Sequence, residues 1–127
     1  MTVRRTLEAA LWLLVARANL SFRPRLALAP RSHAPRPGRL SHETGAQFVL
    51  AVRRASRCLP FRPTCLEQAL ALERLLRNTG LDASVVLGVR RVGATIEAHA
   101  WLEHQDQTLL GAPPAGLYTP FHRTGHA

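Results

Sequence analysis

Cys65 and His99 are the residues of this chain best placed for covalent chemistry. Thr64 and Glu67 form the S/T-x-x-E pattern of a capping box, which puts Thr64 at a helix N-cap and Cys65 at the first helical position. A thiol there faces unpaired backbone N–H groups and the positive end of the helix dipole. Both favour the thiolate, which is the attacking species. An imidazole beside it would hold the thiolate as an ion pair and then protonate a leaving amine. His99 lies in EAHAWLE, a strand candidate later in the chain. The backbone N–H of Cys65 would serve as one oxyanion donor. The chemistry these parts fit is thiol-dependent acyl chemistry, with Cys65 as nucleophile and His99 as base.

Each residue also has an ordinary structural reading. A cysteine at a helix start is more often a small packing residue, and a histidine on a strand is often only that. Alternation puts Ala98, Ala100 and Leu102 on one face and His99, Trp101 and Glu103 on the other. The residues alone leave both readings open. Cys58 is read as packing, and Trp101 as core. Cys58 and Cys65 are seven apart with Pro60 and Pro63 between them, which fits neither a zinc knuckle nor a disulfide framework. His33, His42, His122 and His126 have no metal-ligand spacing. No metal and no other cofactor is expected.

The elements that must position these residues follow from periodicity. Residues 6–20 read as an amphipathic helix with Leu7, Leu11, Leu14 and Ala18 on its core face and Trp12 and Val15 beside it. Residues 21–43 hold Pro24, Pro30, Pro35 and Pro37 among many Arg and His. They read as an extended connector, because proline lacks a donor and disfavours helix before it. The expected organisation is an N-terminal helix and basic connector over 1–43, then a main domain over 44–127. Residues 44–57 predict a second helix, with Phe48, Val49, Val52 and Ala55 inward, ended by Pro60. The helix opened by Cys65 continues through Leu76 and stops near Gly80. Its apolar residues run nearly all round, so it should be largely buried. Val85–Val89, Thr95–Glu103 and Thr108–Leu110 predict three strands, the last two joined as a hairpin, with a turn at Gly93. The tail reads as coil, with Leu117, Tyr118 and Phe121 docking back.

Composition sets limits on function. The 127 residues make one domain's worth of chain, and 46% are hydrophobic, which argues against wholesale disorder. The net charge is +9, yet the arginines are scattered and aromatics reach only 6%. A nucleic-acid surface would show a basic stripe with interleaved aromatics, so no nucleic-acid partner is expected. A basic surface would still attract an acidic peptide or partner. Glu8 and Arg17 interrupt the apolar N-terminal run, leaving it too short to span a bilayer. The expected location is cytoplasmic, with a membrane or partner contact of the first helix left open.

The stretches CLEQALALERLLRNTG, SVVLGVRR and EAHAWLE closely resemble the transglutaminase-like leader peptidases of lasso-peptide biosynthesis. The resemblance is strong over residues 55–111 and weaker upstream, through ASRCLPFRPTC and the N-terminal helix. It implies an α+β, papain-related transglutaminase-like fold, with helices packed on a small antiparallel sheet. It implies a Cys-His-Asp cysteine peptidase that removes the leader from a ribosomally made precursor peptide. It further implies two partners besides the precursor: a separate leader-recognition protein and an asparagine-synthetase-like cyclase. Gln47, upstream of the nucleophile, is a candidate side-chain oxyanion donor, as a Gln is in papain-like sites. The sequence departs from the family at the third member. The family's Asp is expected about twelve residues beyond the histidine, where this chain has Gly111. Asp106, at the hairpin turn, is the candidate substitute. Glu103 shares the face of His99 but sits almost 7 Å along the strand. The departure keeps one alternative alive, a catalytically weak or inactive peptide-binding homologue. A more distant one is an acyl- or amine-transferring enzyme, because the same Cys-His pair supports transfer when an amine replaces water.

Overall fold

The computed structural model describes residues 2–22, 42–79, 83–104, 107–111 and 118–124. Among them, three helices precede four strands: α1 (Thr2–Phe22), α2 (His42–Cys58), α3 (Cys65–Asn78), β1 (Ser84–Val92), β2 (Thr95–His104), β3 (Gln107–Leu110) and β4 (Thr119–Arg123). The strands form one antiparallel sheet in the order β3-β2-β1-β4. This is the expected α+β arrangement. Most of the predicted connector, and Gly80, lie outside the described residues.

One apolar cluster joins the helices to one face of the sheet. It contains Ala9, Leu13 and Ala16 of α1, Phe48, Val52 and Ala55 of α2, Leu72, Leu75 and Leu76 of α3, and Val85, Ala100, Leu102 and Leu110 from the strands. Val85 pairs with Leu102 and Leu87 with Ala100, so these side chains share the helix-facing side. Arginines stack on rings at the helix seams: Arg5 over Phe48, Arg17 over Phe61 and Arg74 over Trp12. Part of the basic excess therefore works within the fold.

α1 buries a different face from the one expected. Leu7, Leu11 and Leu14 are 65%, 54% and 47% exposed, and Ala18 is exposed too, while Leu13 is fully buried between Ala9 and Ala16. The helix is apolar nearly all round, so its period does not select one stripe. The small Ala9 and Ala16 let α1 approach α2 and α3 closely, and that fit decides. Cys58, expected to pack, is exposed instead at the end of α2.

The tail also departs from the coil expected. Residues Thr119–Arg123 form β4, an edge strand paired with β1. Pro120 fits because an edge strand has one side free of ladder bonds. Phe121 is 61% exposed and does not dock. Just beyond β4, the buried Thr124 ties three elements together. Its N–H donates to the Val85 carbonyl at 3.0 Å, its hydroxyl accepts from the Val85 N–H at 3.0 Å, and the same hydroxyl donates to the Glu73 carboxylate of α3. Glu73, buried in a helix whose other inward residues are mainly apolar, also pairs with Arg77 at 3.9 Å.

Candidate active site

Cys65 opens α3 as the capping pattern requires. Thr64 is extended (φ −73°, ψ 166°); its hydroxyl accepts from the Glu67 N–H at 3.1 Å, and the Glu67 carboxylate accepts from the Thr64 N–H at 2.8 Å. Gln68 adds a third clamp by donating to the Pro63 carbonyl at 3.1 Å. Glu67 is buried, and Arg17 of α1 stands 3.8 Å from its carboxylate. That cation offsets the Glu67 charge, which would otherwise oppose a thiolate at this helix end. Cys65 itself is a free, exposed thiol, while most of α3 beyond it is buried. The packing reading of this cysteine therefore does not describe it.

His99 sits mid-β2, opposite Gly88 of β1. A Cβ on Gly88 would meet the Trp101 ring at 2.6 Å, so glycine there is what lets the indole lie flat across the strand pair. The His99 ring stacks on Trp101 (centroids 6.1 Å apart, planes 28°) and tilts against Tyr118 (5.4 Å, 43°). Tyr118 thus docks back as expected, while Leu117 lies outside the described residues. The imidazole Nε2 lies 2.6 Å from the Gly111 carbonyl oxygen. A carbonyl can only accept, so Nε2 carries the hydrogen. Gly111 has φ +74°, a conformation glycine adopts without a steric penalty.

Charged pairs flank this aromatic group. Arg90 bonds Glu97 at 2.7 Å and stacks over Tyr118; the Glu97 carboxylate raises the hold of Arg90 on its proton. Glu103 accepts from the Trp101 indole at 2.7 Å and from Arg123 at 2.8 Å. Burial pushes the Glu103 carboxyl up, but the bonds from Arg123 and Trp101 outweigh it and hold it below the usual carboxylate range.

The candidate residues are distributed as follows. Cys65 and His99 lie on α3 and β2, which pack directly on one another. Strand alternation sets His99 and Trp101 on the face opposite the helical cluster, and no hydrogen bond joins the described Cys65 thiol to the His99 ring. Gln47 is exposed on α2, where its side-chain oxygen accepts from Arg5. Asp106 lies outside the described residues. Glu103 is occupied by Trp101 and Arg123. Trp101 is both buried and a wall beside His99. The imidazole's one hydrogen-bond partner shown is a backbone atom, Gly111 O, and residue type carries no signal for a main-chain acceptor. Sequence reasoning missed it even though the spacing led to Gly111.

A family model described as the transglutaminase-like superfamily matches residues 10–123. The matched span runs from α1 to the end of β4 and includes Cys65, His99 and Gly111. No curated protein and no solved structure matches the chain.

Proposed function

This chain belongs to the transglutaminase-like superfamily, and within it we propose a cysteine peptidase that removes the leader from a ribosomally made lasso-peptide precursor. The observation that carries this reading is the placement of Cys65: an exposed free thiol on the first turn of a capped, otherwise buried helix. The helix end favours the thiolate and leaves the Cys65 N–H pointing outward as an oxyanion donor. The Cys65 sulfur attacks the scissile carbonyl carbon. The imidazolium of His99 gives its proton to the leaving amine, and water then hydrolyses the thioester with His99 as base. This step requires the His99 ring, on the face of β2 opposite the helical cluster, to come within proton-transfer reach of the Cys65 thiol at the start of α3.

Three partners go with this reading: the precursor, a separate protein that recognises its leader, and an asparagine-synthetase-like cyclase acting on the released core. The test is a reconstituted mixture of precursor, recognition protein and this chain. Cys65→Ala should lower cleavage by at least about a thousandfold and leave the far-ultraviolet circular dichroism unchanged. Cleavage by that variant at the wild-type rate would end the proposal. The unlinked thiol and the glycine at the expected Asp position favour a second reading, a peptide-binding homologue without catalysis. Leader binding without selective alkylation of Cys65 near neutral pH would decide for it.

A further inference from the structure

We infer that the main-chain carbonyl of Gly111 is the third member of the site: it positions His99 in place of a side-chain carboxylate. The inference rests on the Cys65–His99 reading for its catalytic meaning, but the bond itself is independent of it. Three observations converge. The Nε2–O distance is 2.6 Å, a close hydrogen-bond contact. The ring packs in one aromatic group with Trp101 and Tyr118, so the bond acts on an imidazole whose motion is already restricted. A Cβ built on Gly111 would stand 2.9 Å from the Ala100 carbonyl oxygen, and the backbone there has φ +74°.

The last point links the missing side chain to the new acceptor. β3 ends at Leu110, which pairs with Leu102, and the chain turns at Gly111 closely against β2. That approach brings the carbonyl onto the imidazole, and only a residue without a Cβ makes it unhindered. An aspartate at this position would collide with Ala100 before its carboxylate reached His99. Because the acceptor takes the Nε2 hydrogen, the neutral ring leaves Nδ1 bare as the basic nitrogen. Orientation and tautomer are thus set by an uncharged group. Unlike a carboxylate, it adds no full negative charge to stabilise an imidazolium.

The test uses the full chain labelled with ¹⁵N in a Cys58→Ser background, which leaves Cys65 as its single thiol. Long-range ¹H–¹⁵N imidazole spectra are recorded near pH 8.5, where histidines are mostly neutral, about two units above the ordinary value. The His99 signals are assigned by their loss in His99→Gln. The expected result is a His99 ring almost wholly in the Nε2–H form. An Nδ1–H ring, or an even mixture, overturns the inference. In Gly111→Ala the displaced carbonyl should release the tautomer bias and slow iodoacetamide alkylation of Cys65 at pH 7 by about fivefold, the worth of one hydrogen bond. A folded Gly111→Ala protein with the wild-type tautomer would also overturn it. If that variant does not fold, the wild-type spectrum alone decides. Cys65→Ala should keep the tautomer; persistent cleavage by Cys65→Ala would instead sink the peptidase reading and leave the Gly111 bond standing.

Discussion

Thr64, Glu67 and Arg17 hold the N-terminal turn that carries Cys65. The capping box satisfies donors on both sides of the cysteine, and Arg17 offsets the carboxylate that completes it. Thr64→Ala should therefore lower stability by about 1 kcal/mol, read as a fall in the urea midpoint. It should also slow alkylation of Cys65, because a frayed first turn presents its N–H dipoles less firmly. Unchanged alkylation would mean the helix end does not activate the thiol. Glu103 gives a pH test. Its carboxyl is held below the ordinary value in the folded state, so its contribution is present above about pH 4.3 and lost as pH falls through the lower folded value. Glu103→Gln should cost about 1 kcal/mol at pH 7 and much less near pH 3, checked by urea midpoints at both. Capping was legible from sequence because it depends on residues three apart. The Gly111 carbonyl was not, because every residue type has one and only folding aims it.

At the scale of elements, α1 shows the limit of periodicity. Its apolar residues surround the axis, and periodicity predicted burial of Leu7, Leu11, Leu14 and Ala18, whereas the buried stripe is Ala9–Leu13–Ala16. That stripe is buried because its small residues allow close approach to α2 and α3. Leu13→Ala should destabilise the protein by about 2–4 kcal/mol, whereas Leu11→Ala should stay within about 0.5 kcal/mol. Thermal melts of the two variants side by side check this, and equal losses would contradict the packing described. In α2 the sequence was unambiguous, since Arg53, Arg54 and Arg57 oppose Phe48, Val52 and Ala55, and the structure keeps that division. β4 was hidden by Pro120, a strand breaker anywhere except on an edge or at a bulge.

Across the whole molecule, Thr124 connects the end of the chain to β1 and α3 through groups that are all buried. Thr124→Val keeps the shape but removes the hydroxyl, taking one hydrogen bond each from the Glu73 carboxylate and the Val85 N–H. A loss of about 1–3 kcal/mol is expected. Hydrogen exchange should report weaker protection in both α3 and β1; a change confined to the C-terminus would show that the hydroxyl does not couple them. Among the described residues the helices and the sheet thus meet through an apolar cluster and a buried polar link at Thr124, while His99 and its aromatic neighbours occupy the other face of β2.

The sequence by itself determined what depends on near neighbours and on pattern. That includes the capped helix with Cys65 at its start, α2 and its inward face, the antiparallel strands, and through its motifs the superfamily later matched over residues 10–123. Tertiary structure alone decided which side of α1 is core, that the tail supplies an edge strand, and that His99 is held by a peptide carbonyl. These choices turn on shape and on main-chain atoms brought together across the sheet. Such contacts depend on where the backbone passes, and residue identity constrains that only through the packed whole.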